Sequence, residues 1–365
     1  MLARLPNAPP GTKGISLFLI PKILPDDTHN DVRAHSVEHK LGIHASPTCT
    51  MVYGDHGGAK GFLIGEENKG MACMFTMMNR ARLAVGLQGV GVAERATQQA
   101  LAYARERKQG TAGAIIAYPD VKRMLLTMRG LTTAARAICY ATGIAIDRSL
   151  RAKTDAARKA AHERASLLTP VAKAFSTDAG IEVASLGVQV HGGMGYIEET
   201  GAAQHLRDAR IAAIYEGTNG IQALDLVARK VPLEGGRTIA LYIDELRQTI
   251  QAVRASNAPI LGETAVRLGE AVDSLDRSTR WLLAQNSSDT ALAGATPYLR
   301  LFASAAGGCM LAEDALASLR AGDGTARAAL ARFFAENVAV QAGGLERAVV
   351  DGGDSVAGAH AALAD

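Results

Sequence analysis

Aromatic side chains make up only 4% of this 365-residue sequence, which has a single tryptophan. Aliphatic residues and alanine must fill most of any core, a composition that favours packed helices. Apolar runs of about 18 residues are missing too, so no span of a bilayer is expected. The opening MLARLPNAPPGTKG lacks the apolar centre of a signal peptide. Cysteine is scarce: Cys49, Cys73, Cys139 and Cys309 lie far apart without a CxxC pair. That excludes a disulfide frame and a zinc ribbon, and points to reduced thiols in a cytoplasmic protein. Without secretion, the sequon at Asn286 carries no meaning. A strong charge of either sign is also absent, since the net charge is +3. Nothing in that balance marks a nucleic-acid binder or an acidic tail.

The charge that is present is unevenly placed. Residues 233–365 have no lysine, and their 11 arginines face 16 acids, a net of −5. Residues 1–232 hold 28 bases against 20 acids, a net of +8. Length alone suggests two or three domains. Residues 1–66 read as short strands and loops, with GISLFLIP, TCTMVYGD and AKGFLIGE as β-rich runs broken by Gly, Asp and Pro. From Asn68 the pattern becomes helical. A first helix over 70–105 carries Met74, Met77, Met78, Leu83, Leu87 and Val90 as an apolar stripe. Gly86, Gly89 and Gly91 stand where a second backbone could approach. A second helix is expected over about 118–150.

The clearest period runs through Leu168, Val171, Phe175, Ala179, Val183, Leu186 and Val190, spaced by three or four. Thr169-Pro170 resembles an N-cap with proline at the first helical position, so a helix restart is expected there. The run stops at Gly192-Gly193, and a further helix should cover about 200–212. Pro232–Gly236 reads as a linker. Beyond it, breaks at Asn286–Ser288 and Gly322–Gly324 would separate three or four helices of a small bundle. The division is therefore 1–66, 67–231 and 232–365. No short repeat is visible.

His35-Ser36-Val37-Glu38-His39 matches the inverted zinc-protease pattern H-x-x-E-H, whose chemistry needs both histidines one turn apart on a stable helix. Strand-like surroundings and Gly42 argue against that helix, so no metal site is expected. Gly89-Val90-Gly91 and Gly193-Met194-Gly195 follow no buried strand, which excludes a Rossmann phosphate loop. A Walker lysine loop and a serine elbow are both missing. Arg105-Glu106-Arg107-Lys108 reads as a solvated helix end. VQVHGGMGY is more informative, because unhindered backbone N–H groups in such a loop can approach a phosphate or a polar ring edge. Gln189 and His191 flank it with side-chain donors. IYEGTNGIQ (214–222) puts Glu216 at a glycine break between two helical runs, with Thr218 as an N-cap for the second.

Taken together, GTKGISLFLIP, HKLGIHASPT, FLIGEENKGM, NRARLAVGLQGVG, ALAYARERKQG, AKAFSTDAGIEVASLGVQVHGGMGY and LRDARIAAIYEGTNGIQ resemble the acyl-CoA dehydrogenase flavoproteins over about residues 11–230. The extension resembles the branch that holds 3-methylmercaptopropionyl-CoA dehydrogenases. The resemblance implies a mainly α protein: a partial β-domain, a four-helix bundle and an extra C-terminal helical domain. It implies FAD, an acyl-CoA substrate, an electron-transfer flavoprotein or similar acceptor, and a homodimer or homotetramer. It assigns Glu216 as the base that removes the α-proton of the thioester, its N–H helping to polarise the carbonyl. Gly217 and Arg82 fall at positions near substrate. Thr218 matches an FAD contact, Arg107 an arginine that reaches an FAD diphosphate across a dimer interface. Gln189, His191, Gly192 and Gly193 match the loop that receives a neighbour's adenosine. Some members carry the base just before the arginine, but Ala81 stands there and cannot act. The family has a helical domain and half a β-domain ahead of GTKGIS, so this chain is expected to be a C-terminal portion that binds FAD weakly alone. A DNA-associated relative would want a basic extension, contrary to the −5 seen. A non-catalytic assembly subunit would have no need of an aimed carboxylate.

Overall fold

The computed structural model describes residues 1–111 and 113–364. Two compact units are distinguished, Met1–Ala81 and Arg82–Asp365. The first unit is built on strands. β1 (Leu2–Arg4), β2 (Ile15–Leu19) and β5 (Phe62–Ile64) form an antiparallel sheet in the order β1-β2-β5, with Leu17 opposite both Leu2 and Ile64. β3 (Val32–Val37) pairs with β4 (Cys49–Tyr53), the register shifting between Ala34 and Ser36. His35 therefore lies in an extended strand, and the spacing of the H-x-x-E-H pattern does not place its histidines on one helical face. The loops between strands are closed by buried Asn30. Its Nδ2 donates to the carbonyls of Pro21 and Lys60, both at 2.8 Å, while the N–H of Lys60 donates back to Oδ1 at 2.9 Å. One side chain thus satisfies backbone groups 39 residues apart.

Helix α1 (Gly70–Glu106) starts where the periodicity changes. In the second unit it packs with α2 (Pro119–Arg151), α3 (Asp155–His191), α4 (Ala202–Arg210) and α5 (Asn219–Asp225). Two sequence expectations need correction here. Met77 and Leu87 are 56% and 39% exposed, and the buried face of α1 is made by Val85 and Ala93 together with the expected Val90, Gly86 and Gly89. Small residues define this face because the helices cross with backbones in contact. A Cβ on Gly89 would lie 2.4 Å from the carbonyl oxygen of Ser176, and one on Gly86 would lie 2.8 Å from that of Ala172. Gly91 has open space around it and takes no part.

The second correction concerns α3, which does not restart at Thr169-Pro170. It begins at Thr154, whose side chain accepts the Ala157 N–H, and runs through Pro170 as one helix of 37 residues. Burial on both sides of the proline outweighs the lost backbone bond, since Leu167, Leu168 and Val171 are at most 1% exposed. The Thr169 hydroxyl donates to the Ala165 carbonyl at 2.7 Å, keeping the turn before the proline tied.

A π-helical turn (Leu226–Lys230) and left-handed residues at Glu234, Gly235 and Gly236 separate these helices from α6 (Arg237–Ala255). After α6 come α7 (Thr264–Ala284), α8 (Asp289–Ala293), α9 (Ala295–Arg320), α10 (Thr325–Asn337), α11 (Ala342–Val350) and α12 (Gly353–Ala357). The breaks at Asn286, Ser287 and Gly322 all show positive φ. Helix α9 meets α2 so closely that a Cβ on Gly307 would sit 2.9 Å from the Ala134 methyl. One apolar core consequently runs from Val90 to Val349 through both helical segments. The four cysteines are unpaired, and no described helix is long and apolar enough to cross a membrane.

Candidate active site

Between the short 3-10 turn Ile211–Ala213 and α5 the backbone bends sharply. Glu216 takes φ 58° and Gly217 φ 84°, consecutive left-handed residues. For glutamate that conformation is costly, and it persists only where surrounding contacts impose it. They do so from three sides. The Tyr215 hydroxyl donates to Gln88 Oε1 on α1. Gln222, with no exposed surface, directs Nε2 at the carbonyls of Glu216 (3.3 Å) and Gly217 (3.4 Å). Lys173 on α3, also without exposed surface, donates to the Gly217 carbonyl at 2.9 Å and to Asn219 Oδ1 at 2.8 Å. The φ of Gly217 favours glycine, and a Cβ there would lie 2.8 Å from Gln222 Nε2 and push that amide off the bend. Among the described residues no acceptor takes the Glu216 N–H. The half-buried carboxylate and that N–H are left as the functional groups of the bend. Thr218 caps α5 by accepting the Ile221 N–H at 3.3 Å, which leaves its hydroxyl proton to donate.

Beneath the bend lies a charge cluster that sequence patterning did not reveal. Burial lowers the Lys173 ammonium to about 8, opposed by the charge of Asp178, with Arg82 adding to the fall and Glu216 opposing it. Burial raises the carboxyl of Asp178, which accepts the Asn219 amide at 2.7 Å. Arg82 is 8% exposed and stands 3.5 Å from Asp225, itself 3% exposed and also paired with Arg229 at 2.6 Å. Arg82, expected beside substrate, is thus held in a buried ion pair, and among the described residues its Nε has no hydrogen-bond partner. Lys173, Gln222, Asp178 and Asp225 were missed. The one available signal was a lysine inside the apolar face of α3, where a charge has no reason to sit unless it holds something.

The remaining site residues gather at the far end of α3. Gly192 ends the helix at φ 59°, ψ −140°, and the exposed pair Gly192-Gly193 has no atom within 4 Å of where a Cβ would project. That opening leaves backbone free for close approach by a planar or phosphate-bearing ligand. Gly195 is different, because its Cβ would strike the Val188 carbonyl at 2.2 Å. Gln189 is exposed, but His191 is buried. Its Nδ1 lies 2.7 Å from the Gly187 carbonyl and its ring stacks on Tyr103, centroids 4.5 Å apart. Nδ1–H is therefore engaged within the helix and is not itself available as a loop donor, while the Gln189 side chain is exposed. Tyr103 stands one turn before exposed Arg107, so the stack brings the end of α1 to the glycine loop. Lys173 and His191 are 18 residues apart on α3, about 27 Å along the helix axis. Two clusters thus exist, one around Glu216, Gly217, Thr218 and Arg82, the other around Arg107, Gln189, His191, Gly192 and Gly193.

Comparison with known proteins gives two family models. Residues 68–231 match the acyl-CoA dehydrogenase C-terminal domain, and residues 242–360 match the acetyl-CoA dehydrogenase C-terminal-like domain. A 3-methylmercaptopropionyl-CoA dehydrogenase of Ruegeria pomeroyi is 44% identical over 98% of this chain and 63% of its own length. A broad-specificity linear acyl-CoA dehydrogenase of Mycobacterium tuberculosis is 30% identical over 92% of this chain and 61% of its own. The solved Caenorhabditis elegans ACDH-11, in complex with C11-CoA, superposes with a TM-score of 0.79 at 21% identity, covering 96% of this chain and 60% of that one. The chain thus spans less than two thirds of the relatives it matches.

Proposed function

The chain belongs to the acyl-CoA dehydrogenase family, and from that premise we propose that it takes part in FAD-dependent α,β-dehydrogenation of an acyl-CoA thioester, with Glu216 as the base. The observation that carries this reading is the imposed left-handed bend, which projects one carboxylate and one unengaged N–H from the same residue. Removing the weakly acidic α-proton needs a carboxylate held within hydrogen-bond reach of that carbon. The adjacent N–H suits the thioester carbonyl, whose oxygen gains charge as the proton leaves. Lys173 and Gln222 hold the carbonyls of the bend, so neither donor is diverted to substrate. Bound FAD would supply the two-electron acceptor for the β-hydride. The residues fit such a group: Thr218 offers a hydroxyl proton beside the bend, while Arg107, Gln189 and the open Gly192-Gly193 backbone suit a diphosphate and an adenosine edge. The length of α3 between Lys173 and His191, about 27 Å along the axis, favours service to two cofactor molecules, hence a homodimer or homotetramer with loops crossing between subunits.

Within this reading, residues 1–66, 67–231 and 232–365 are a β segment, the bundle bearing the site, and an accessory extension. The name of the Ruegeria relative supports a short or medium acyl chain, 3-methylmercaptopropionyl-CoA included, and an electron-transfer flavoprotein is the acceptor of fitting chemistry. A cytoplasmic location agrees with the four unpaired thiols. The test is anaerobic mixing of the FAD-loaded protein with butyryl-CoA or 3-methylmercaptopropionyl-CoA. It uses a chain that carries these 365 residues at the length of the relatives. Bleaching of the flavin band by acyl-CoA, and none with CoA alone, is the expected result. A stable yellow protein that neither thioester bleaches would refute the assignment.

A further inference from the structure

We propose that Lys173 is a positioning residue for Glu216, its ammonium pinning the Gly217 carbonyl and the Asn219 side chain so that the bend keeps its left-handed geometry; this rests on the reading of Glu216 as the base. Four observations support it. First, the lysine has no exposed surface, though it sits mid-helix where leucine or methionine would pack without desolvating a charge. Second, its donors reach 2.9 Å and 2.8 Å to two groups on opposite sides of Thr218, one the Gly217 carbonyl in the bend and the other the side chain of the first residue of α5, so they span the break. Third, Asn219 passes the contact on, its Nδ2 donating to Thr177 Oγ at 2.9 Å and Asp178 at 2.7 Å. Fourth, Asp178 lines a cavity of about 90 Å³ shared with Arg300 of α9 and Glu182, where burial raises its carboxyl, opposed by the Asn219 hydrogen bond and then by the charge of Arg300.

The groups facing Lys173 are Asp178 on its own helix, Arg82 on α1 with its partner Asp225 on α5, and Glu216 in the bend. Burial outweighs the attraction of the two acids and brings the ammonium down to about 8. Its charge therefore leaves within an accessible pH range, while ordinary surface lysines stay protonated.

Hydrogen exchange of the 365-residue chain, followed on peptides covering 214–225, tests the pin without any cofactor. Lys173→Met keeps the volume and removes the donors. Exchange in 214–222 should quicken at least about tenfold, with the α3 peptides flanking Lys173 unchanged. Equal protection in that segment, or uniform loosening of the whole unit, overturns the proposal. Should Lys173→Met not fold, Asn219→Ala is read the same way, since it removes the second acceptor and leaves the helix intact. In the FAD-loaded protein, Lys173→Met should lower the flavin reduction rate at least tenfold with the acyl-CoA Kd changed less than about threefold. An inflection of the wild-type rate near pH 8 should vanish in the variant. An unchanged rate or an unchanged pH profile would overturn the positioning role. Glu216→Gln in parallel keeps the two readings apart. If Glu216→Gln reacts normally, the assignment of the base fails; if only Lys173→Met reacts normally, the pin alone fails.

Discussion

Glu216→Gln is expected to slow flavin reduction by acyl-CoA about 100- to 10,000-fold, the usual cost of removing a positioned general base. That corresponds to about 3 to 5.5 kcal/mol of transition-state stabilisation. Glutamine keeps the size and polarity of the side chain and its N–H, but cannot take a proton. FAD retention should therefore survive, and acyl-CoA affinity should change far less than the rate, because glutamine keeps the size, the polarity and the N–H of the bend. Rapid-mixing absorbance in a chain of the relatives' length measures all three quantities. Glu199→Gln, on an exposed turn near the glycine loop, is the control carboxylate and should react at the wild-type rate. Near-normal reduction by Glu216→Gln would remove the base from the bend.

Stability should respond most to the crossing of α1 and α3. In Gly89→Ala the new methyl would lie 2.4 Å from the Ser176 carbonyl, a backbone atom that cannot turn aside. Gly180 opposite is also constrained, its Cβ position being 3.0 Å from the Gly89 carbonyl. The helices would have to part, which by overpacking costs typically about 1 to 3 kcal/mol and more where backbone moves. Helix propensity works the other way, since alanine is favoured over glycine by up to about 1 kcal/mol. Gly91→Ala isolates that second effect, because nothing lies within 4 Å of its Cβ position. Urea unfolding should thus show Gly89→Ala with a clearly lower midpoint and Gly91→Ala with an equal or slightly higher one. Two equal midpoints would mean that the crossing is not tight in solution.

That contrast shows where a sequence speaks and where it is silent. The helices over 70–106, 119–151 and 202–210 were legible from period and composition, as was the break at Gly217, because turn residues interrupt a periodic run. The start of α3 was misjudged, since Thr169-Pro170 has the residue types of an N-terminus and only burial decides against it. Leu87 was assigned inward because hydrophobicity was weighed above size, whereas this interface is set by how near two backbones can come. Lys173 was overlooked although its place inside an apolar run was a signal. Leu167 through Thr177 are all buried, so that stretch of α3 has no polar face for the lysine to violate. Gln222 and Asp225 lie in a helix of only seven residues, too short for period to sort inside from outside. Chemistry carried by a motif was readable; chemistry carried by a fold-made contact was not.

The separation of the two clusters along α3 has a genetic consequence. If the glycine loop of one chain completes the site of its neighbour, then damage to Glu216 and damage to that loop fall on different sites of a mixed dimer. A hybrid of a Glu216→Gln chain and a chain with a bulky residue at Gly193 would hold one site bearing both lesions and one bearing neither. Random pairing of equal amounts makes half the dimers hybrids, each half active, so two inactive proteins would yield about a quarter of wild-type activity when co-assembled. Lesions confined to the same cluster, such as Glu216→Gln with Lys173→Met, would give no such recovery, and the pattern of rescue among pairs would trace which ends of α3 belong to one catalytic unit.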